Sequence, residues 1–175
     1  MLKGSQVYLS PIQEKDLPEL FSWINDRETV LYNASYRPIS DLEHRSWYES
    51  LSGDRNRVFF LIRRVSDDGL IGSCQLLSIH SVYRNAELQV RIGRKESRGR
   101  GFGTEALKLL LRFAFDDLNL ERVYLHVFET NKAAIRVYEK IGFVREGILR
   151  KAAYINGEYL NLIVMGILRD EYTNR

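Results

Sequence analysis

Cysteine is nearly missing from this chain: Cys74 stands alone among 175 residues. A disulfide scaffold is therefore excluded, because a bridge needs two thiols. Proline is scarce too, at three, and no repeat, low-complexity tract or long linker divides the sequence. Long apolar runs are missing: stretches such as Leu107–Ala114 are short and carry charge, far below the about 18 apolar residues of a membrane span. The start, Met1-Leu2-Lys3-Gly4-Ser5-Gln6, lacks the apolar stretch of a signal peptide, so a cytoplasmic protein with no membrane partner is expected. Charge of one sign is also missing, with 26 Lys and Arg against 23 Asp and Glu. A nucleic-acid surface gathers basic residues with aromatics on one face. Here the only dense basic run is Arg91–Arg100, broken up by glycines, which suits a local site for a phosphorylated ligand better than a nucleic-acid surface. Metal binding is poorly supported, since His44, His80 and His126 are scattered without ligand spacing. What the chain does have is apolar content, 45%, with 11% aromatics. A compact chain of this length buries roughly 70% of its unfolded surface, so one domain over residues 1–175 is expected.

The residue pattern predicts an order of elements. Gln6–Ser10 alternates as a strand, and Asp16 is expected to cap a helix running to about Asn25, with Leu17, Leu20, Phe21 and Ile24 on one face. Residues 27–39 read as irregular. Ser40 opens a second helix, with Leu42, Trp47 and Leu51 on its apolar side. Val58–Ile62 and Leu70–Ile79 form a hairpin around Asp67-Asp68-Gly69, and Ala86–Ile92 is a further strand. Gly101–Leu118 has the strongest helical spacing. Arg122–Phe128 is rich in strand formers, Asn131 is an N-cap, and its helix ends at Gly142. Val144–Ile155 and Glu158–Arg169 flank the hairpin turn Asn156-Gly157. This order predicts an α/β fold: a mixed sheet covered by helices on both faces.

The most informative segment is Arg98-Gly99-Arg100-Gly101-Phe102-Gly103-Thr104, which follows a strand and opens a long helix. Glycines let the backbone approach a ligand, and the helix N-terminus carries partial positive charge, so the segment is a phosphate cradle. Two folds use such a cradle. Gly101, Gly103 and Ala106 satisfy the dinucleotide pattern G-x-G-x-x-A, and Glu129 ends the next strand where a ribose-binding acid would sit. Against it, charged residues separate the strand from Gly101, and too little chain follows Glu129 for further βαβ units.

The alternative is Q/R-x-x-G-x-G/A, matched in full by Arg98, Gly101 and Gly103, together with N-x-x-A-x-x-x-Y-x-x-x-G-F, matched by Asn131, Ala134, Tyr138, Gly142 and Phe143. With both motifs in this order, joined by a strand, the chain resembles the GNAT N-acetyltransferases from Val7 to Tyr172. The resemblance implies the GNAT fold, with a mostly antiparallel sheet of about seven strands. It implies acetyl-CoA as co-substrate, wedged between Ala86–Ile92 and Arg122–Phe128. Its pantetheine would lie along Gln89, Val90, Arg91 and Ile92, and its diphosphate on Arg98, Gly99, Arg100, Gly101, Phe102, Gly103 and Thr104. Asn131, Ala134 and Tyr138 would complete the cofactor wall. An amine would attack directly, with Tyr138 as general acid to the departing sulfur and Glu87 as general base, through water. The alternatives are a core tyrosine for Tyr138 and a solvent-facing, arginine-paired carboxylate for Glu87. His80 is a weaker base candidate, and Cys74 reads as a buried inert thiol.

The acceptor is expected to be a small-molecule primary amine. From Arg84 onward the chain is similar to spermidine N-acetyltransferases. Residues 23–47 are more similar to acetyltransferases of nucleotide-linked amino sugars. The ribosomal-protein N-terminal acetyltransferase group shares the overall pattern, and an acetyl-CoA sensor without catalysis is a further alternative. Asp26, Glu28, Asp41 and Glu43 suit a polyamine, whereas Arg37 and Arg45 suit a diphosphate. A homodimer is a possible assembly.

Overall fold

The computed structural model describes residues 1–32 and 34–173. Eight strands build one sheet: β1 (Leu2–Lys3), β2 (Val7–Ser10), β3 (Val58–Arg64), β4 (Leu70–His80), β5 (Asn85–Ile92), β6 (Arg122–Phe128), β7 (Val144–Ile155) and β8 (Glu158–Leu168). They lie in the order β1-β2-β3-β4-β5-β6-β8-β7, and every pairing is antiparallel except β5 with β6. The expected mixed, mostly antiparallel sheet is therefore present, with one strand more than expected. The extra strand pairs Leu2 with Leu9 and Lys3 with Tyr8, and two residues are too few to show alternation.

Side-chain alternation sends each strand's residues to two helical layers. On one face, Ile62, Leu76, Ala86, Leu88, Val123 and Leu125 pack against α4 (Phe102–Arg112) and α5 (Lys132–Ile141). On the other, Leu61 and Leu70 meet Leu20 and Trp23 of α1 (Leu17–Asn25), with Trp47 of α3 (Asp41–Ser50) packed alongside. Cys74 is buried in the first layer, and burial pushes its thiol pKa up, as an inert thiol requires.

Several local expectations are corrected. Asp16 does not cap α1 with its side chain; its carboxylate accepts from the Gln13 N–H at 3.0 Å and pairs with Arg63 at 2.6 Å. In α1 the buried third position is Trp23, while Phe21 and Ile24 stay partly exposed. A short helix, α2 (Arg27–Val30), interrupts the stretch read as irregular, and Asp26 caps it by accepting from the Glu28 N–H at 3.2 Å. Past Arg112 the helix begun at Phe102 widens by one residue per turn: the Leu118 N–H reaches the Phe113 carbonyl. Arg169, opening α6 (Arg169–Thr173), donates to the Phe115 and Leu120 carbonyls there, at 2.5 and 3.0 Å.

In α3, Leu42 is 74% exposed and His44 is the buried residue. The His44 ring stacks on Trp47 at 5.2 Å and tilts against Phe21 at 5.4 Å, so it packs as an aromatic. Burial holds its pKa below the ordinary histidine value, with Asp41 opposing. The unfolded chain then binds a proton that the folded chain refuses, so stability falls as pH drops through the ordinary histidine range, about 7 to 5. His44→Phe should flatten this part of the curve in urea melts run across that range; an unchanged slope would show that His44 does not carry it.

Candidate active site

The site begins where two neighbouring strands part. β5 and β6 run parallel for only three pairs: Asn85 with Arg122, Ala86 with Val123 and Glu87 with Tyr124. Beyond them β5 stays paired with β4 as far as Ile92, and β6 stays paired with β8 as far as Phe128. A wedge-shaped gap therefore opens from Glu87 and Tyr124. One wall is the edge of Leu88–Ile92, whose main-chain groups facing the gap have no ladder partner in β6.

The glycine segment lies past the end of β5, at the wide side of the gap. Gly99 and Gly101 have φ of +72° and +86°, a region that L side chains rarely adopt. Space is open where a Cβ would stand at either, so packing does not demand glycine there. Gly101 is the N-cap of α4 and offers no side chain to the helix, so the first-turn N–H groups, of Phe102, Gly103 and Thr104, are left to bind an anion. Arg100 lies over the Phe102 ring at 5.3 Å. The Arg98 guanidinium turns back instead, donating to the Ile92 carbonyl at 3.1 Å and the Thr29 hydroxyl at 3.1 Å.

After β6, Asn131 caps α5 by accepting from the Ala134 N–H at 3.2 Å. Ile135, Tyr138 and Ile141 form the buried face of α5. Tyr138 is 8% exposed, its ring edge-on to Phe143 at 5.7 Å, and burial pushes its phenol pKa up to about 12. The phenol is thus held in its proton-donating form.

Glu87, Gln89 and Arg91 face the side of the sheet opposite the α4 layer, by alternation with Ala86 and Leu88. The carboxylate of Glu87 meets no arginine; its partner is His126 on β6, Nδ1 to Oε1 at 3.0 Å. The sequence pattern raises His126 only as a metal ligand and misses this pairing. Its signal is parity: His126 is two residues from Tyr124, the register partner of Glu87, so the two side chains share a face. His80 accepts from the Tyr83 N–H at 3.1 Å and stacks on that ring, as a turn residue does. A cavity of about 610 Å³ is lined by Asp54, Arg57, Leu77, His80 and Glu87 among others.

The dinucleotide alternative fails at its acid. Glu129 is committed to Asn161, accepting from its main-chain N–H and its side-chain amide, each at 3.1 Å. A family model described as an acetyltransferase (GNAT) domain matches residues 6–144. The chain belongs to the GNAT family. It is 33% identical to the spermidine N(1)-acetyltransferase of Vibrio cholerae serotype O1, over 98% of each chain. The crystal structure of the Vibrio cholerae spermidine N-acetyltransferase in complex with CoA and spermine is 32% identical, with a TM-score of 0.91 over 98% of this chain and all of that one. A dodecameric structure of the same enzyme superposes at 0.86, 33% identical, over 98% of this chain and 99% of that one.

The charged residues between α1 and α3 in this GNAT acetyltransferase are mostly paired already. Glu28 holds Lys95 at 2.5 Å, Arg37 holds Glu43 at 2.8 Å, and Arg45 reaches Glu14 at 3.3 Å. Arg27 and Ser35 also tie this region to the last hairpin. Arg27 donates to Asn156 Oδ1 at 2.7 Å and the Ser35 hydroxyl donates to the Tyr154 carbonyl at 2.9 Å. Among the described residues no helix is long and apolar enough to cross a membrane.

The two loop glycines differ in a testable way. Gly101→Ala should cost about 1–2 kcal/mol of stability through its positive φ alone, since no atom obstructs the new methyl. Gly103→Ala places its methyl at 3.5 Å from Ile92, an ordinary contact, and should change stability by less than about 1 kcal/mol. Urea unfolding of both variants checks the contrast; equal losses would refute the conformational account.

Proposed function

We propose that this chain moves an acetyl group from acetyl-CoA to a primary amine of a polyamine such as spermidine, by direct attack in a ternary complex. The observation that carries the reading is the parting of β5 from β6 in front of an uncapped, glycine-led helix. The residues fit acetyl-CoA. Open space at Gly99 and Gly101 admits a diphosphate against the backbone, and Arg100 adds charge there. The edge of Gln89, Val90 and Arg91, unpaired with β6, offers ladder groups to the pantetheine amides, while the Ile92 carbonyl is taken by Arg98. The named substrates of the spermidine N-acetyltransferases support the acceptor class. So do the Asp54 and Glu87 carboxylates in one cavity, where an ammonium group competes with Arg57 and His126 for them.

Acetyl-CoA supplies the activated thioester, and this chain's residues do the rest. The first-turn N–H groups of α4, with Arg100, hold the diphosphate. A main-chain N–H near Gln89 or Val90 polarises the thioester carbonyl as charge develops on its oxygen. Asn131 and Ala134 form the α5 side of the wall. Glu87 takes the proton of the incoming ammonium through water, its carboxylate oriented by His126. Tyr138 Oη gives its proton to the departing sulfur.

The multimeric relative supports assembly of copies of this chain. Strand β7 lies at the sheet's edge and exposes Val144, Ile148 and Leu149, and a long unprotected edge is suited to contact with another chain. Light scattering should give a mass of two or more chains; a monomer at micromolar concentration would overturn this part.

Thiol release from acetyl-CoA with spermidine, a nucleotide-linked amino sugar or a ribosomal N-terminal peptide tests the acceptor. Turnover of the peptide with no response to spermidine would overturn the polyamine assignment. Tyr138→Phe should lower kcat by about 10²–10⁴ while acetyl-CoA affinity holds. A loss below about threefold would leave Tyr138 a packing role. Because the folded phenol titrates at about 12, the donor form persists well past the ordinary tyrosine value. Wild-type kcat should therefore show no tyrosine-dependent fall up to about pH 10.

A further inference from the structure

The stretch between β5 and the glycine cradle is threaded through the acceptor side of the molecule. A side chain at Gly93 would collide with the Trp23 indole of α1. Arg94 pairs with Glu19 of α1 at 2.7 Å. Lys95 pairs with Glu28 of α2 at 2.5 Å, an exposed contact that contributes little. Arg98 differs from these, because it is partly buried and its bonds converge. Its Nε donates to the Ile92 carbonyl at 3.1 Å, and its Nη2 to the Thr29 hydroxyl at 3.1 Å and the Gly93 carbonyl at 3.4 Å. The guanidinium also lies over the Tyr32 ring at 5.0 Å.

Thr29 passes the contact on. It is 1% exposed, and the hydroxyl that accepts from Arg98 donates to Asp26 Oδ2 at 2.7 Å. Asp26 in turn accepts from the Glu28 N–H as the cap of α2, and the Thr29 bond holds its carboxyl below the usual carboxylate range. Hydrogen bonds linked in this way strengthen one another in a poorly solvated setting. Residues 26–32 are fastened at their far side to the last hairpin by Arg27 through Asn156, and Ser35 beyond them by its bond to Tyr154. They form a strap, and Arg98 is the fastening on the cofactor side.

We propose that Arg98 is a positioning residue for the acceptor, clamping the Asp26–Tyr32 strap to the end of β5, and that its guanidinium does not bind the CoA diphosphate. The planar fork suits this role because its donors, held in one fixed geometry, reach two main-chain carbonyls and a hydroxyl at once. The cofactor loop and the acceptor wall then share one side chain, so the strap's order depends on the β5 end that also borders the cofactor.

The acceptor role rests on the function proposed above, but the clamp itself is read without any acceptor. Arg98→Gln removes the fork. Thr29→Val removes only the far partner, at nearly constant shape. Hydrogen exchange of the amides of residues 27–32 should speed up about tenfold or more in both variants, since a bond to a charged donor is lost. CoA affinity by calorimetry should stay within about threefold in both. With spermidine, KM should rise about tenfold at a kcat within about threefold, whereas a general loss of folded protein would lower kcat instead. The double variant should be no worse than Arg98→Gln alone, because the two residues act through one contact. A tenfold loss of CoA affinity, or unchanged exchange at 27–32, would overturn the proposal. Absence of spermidine turnover in the wild type would overturn the polyamine assignment and leave the exchange and CoA results to judge the clamp.

Discussion

A parallel ladder that stops after three pairs is the constraint on which the site depends. β5 is held by β4 and β6 by β8, so each strand is satisfied on one side and neither collapses onto the other. Separation leaves main-chain groups along Leu88–Arg91 without a ladder partner in β6, a cost that a fold tolerates where a ligand completes the ladder. The same parting brings two different chain segments to the wide end, the glycine cradle after β5 and the capped start of α5 after β6.

Strand parity then divides the chemistry between the two faces of the sheet. Tyr138 belongs to the dry layer shared by α4 and α5, where burial favours a neutral phenol. Glu87 and His126 share the opposite face, each with its side chain partly open to water. Tyr138 and Glu87 therefore lie on opposite faces of a sheet that parts between β5 and β6. The environments differ because the faces differ, so the chemistry open to each side chain follows from topology as much as from residue type.

Much of this was legible in the sequence, and the misses have physical causes. The glycine cradle and the Asn131 cap carry their signals locally, in backbone conformation and in a side chain bonded three residues away, so reading them requires no tertiary knowledge. Strands β3 to β6 showed in their β-forming residues and turn signals. What failed was whatever depends on a distant partner. His44 replaced Leu42 as the buried residue of α3 because Trp47 and Phe21 stack on it. Asp16 left the helix cap for Arg63, forty-seven positions on. The widened turn after Arg112 is matched by Arg169, from the far end of the chain. The Glu87–His126 pair needed the β5–β6 register, which periodicity alone does not supply.

The acceptor side shows why counting charges misjudges a binding region. Asp26, Glu28 and Glu43 look like three carboxylates for ammonium groups, yet each has a structural use. Asp26 caps a helix and Glu43 accepts from the Ser40 N–H at 2.8 Å. Glu28 is the exception that can be recruited, since its bond to Lys95 is exposed and weak, with the glutamate side chain 77% accessible. An ammonium group arriving there competes with a lysine for one carboxylate, which is a nearly balanced exchange of like for like. Asp54 and Glu87 line one cavity, but each is already engaged there, Asp54 with Arg57 at 3.5 Å and Glu87 with His126 at 3.0 Å.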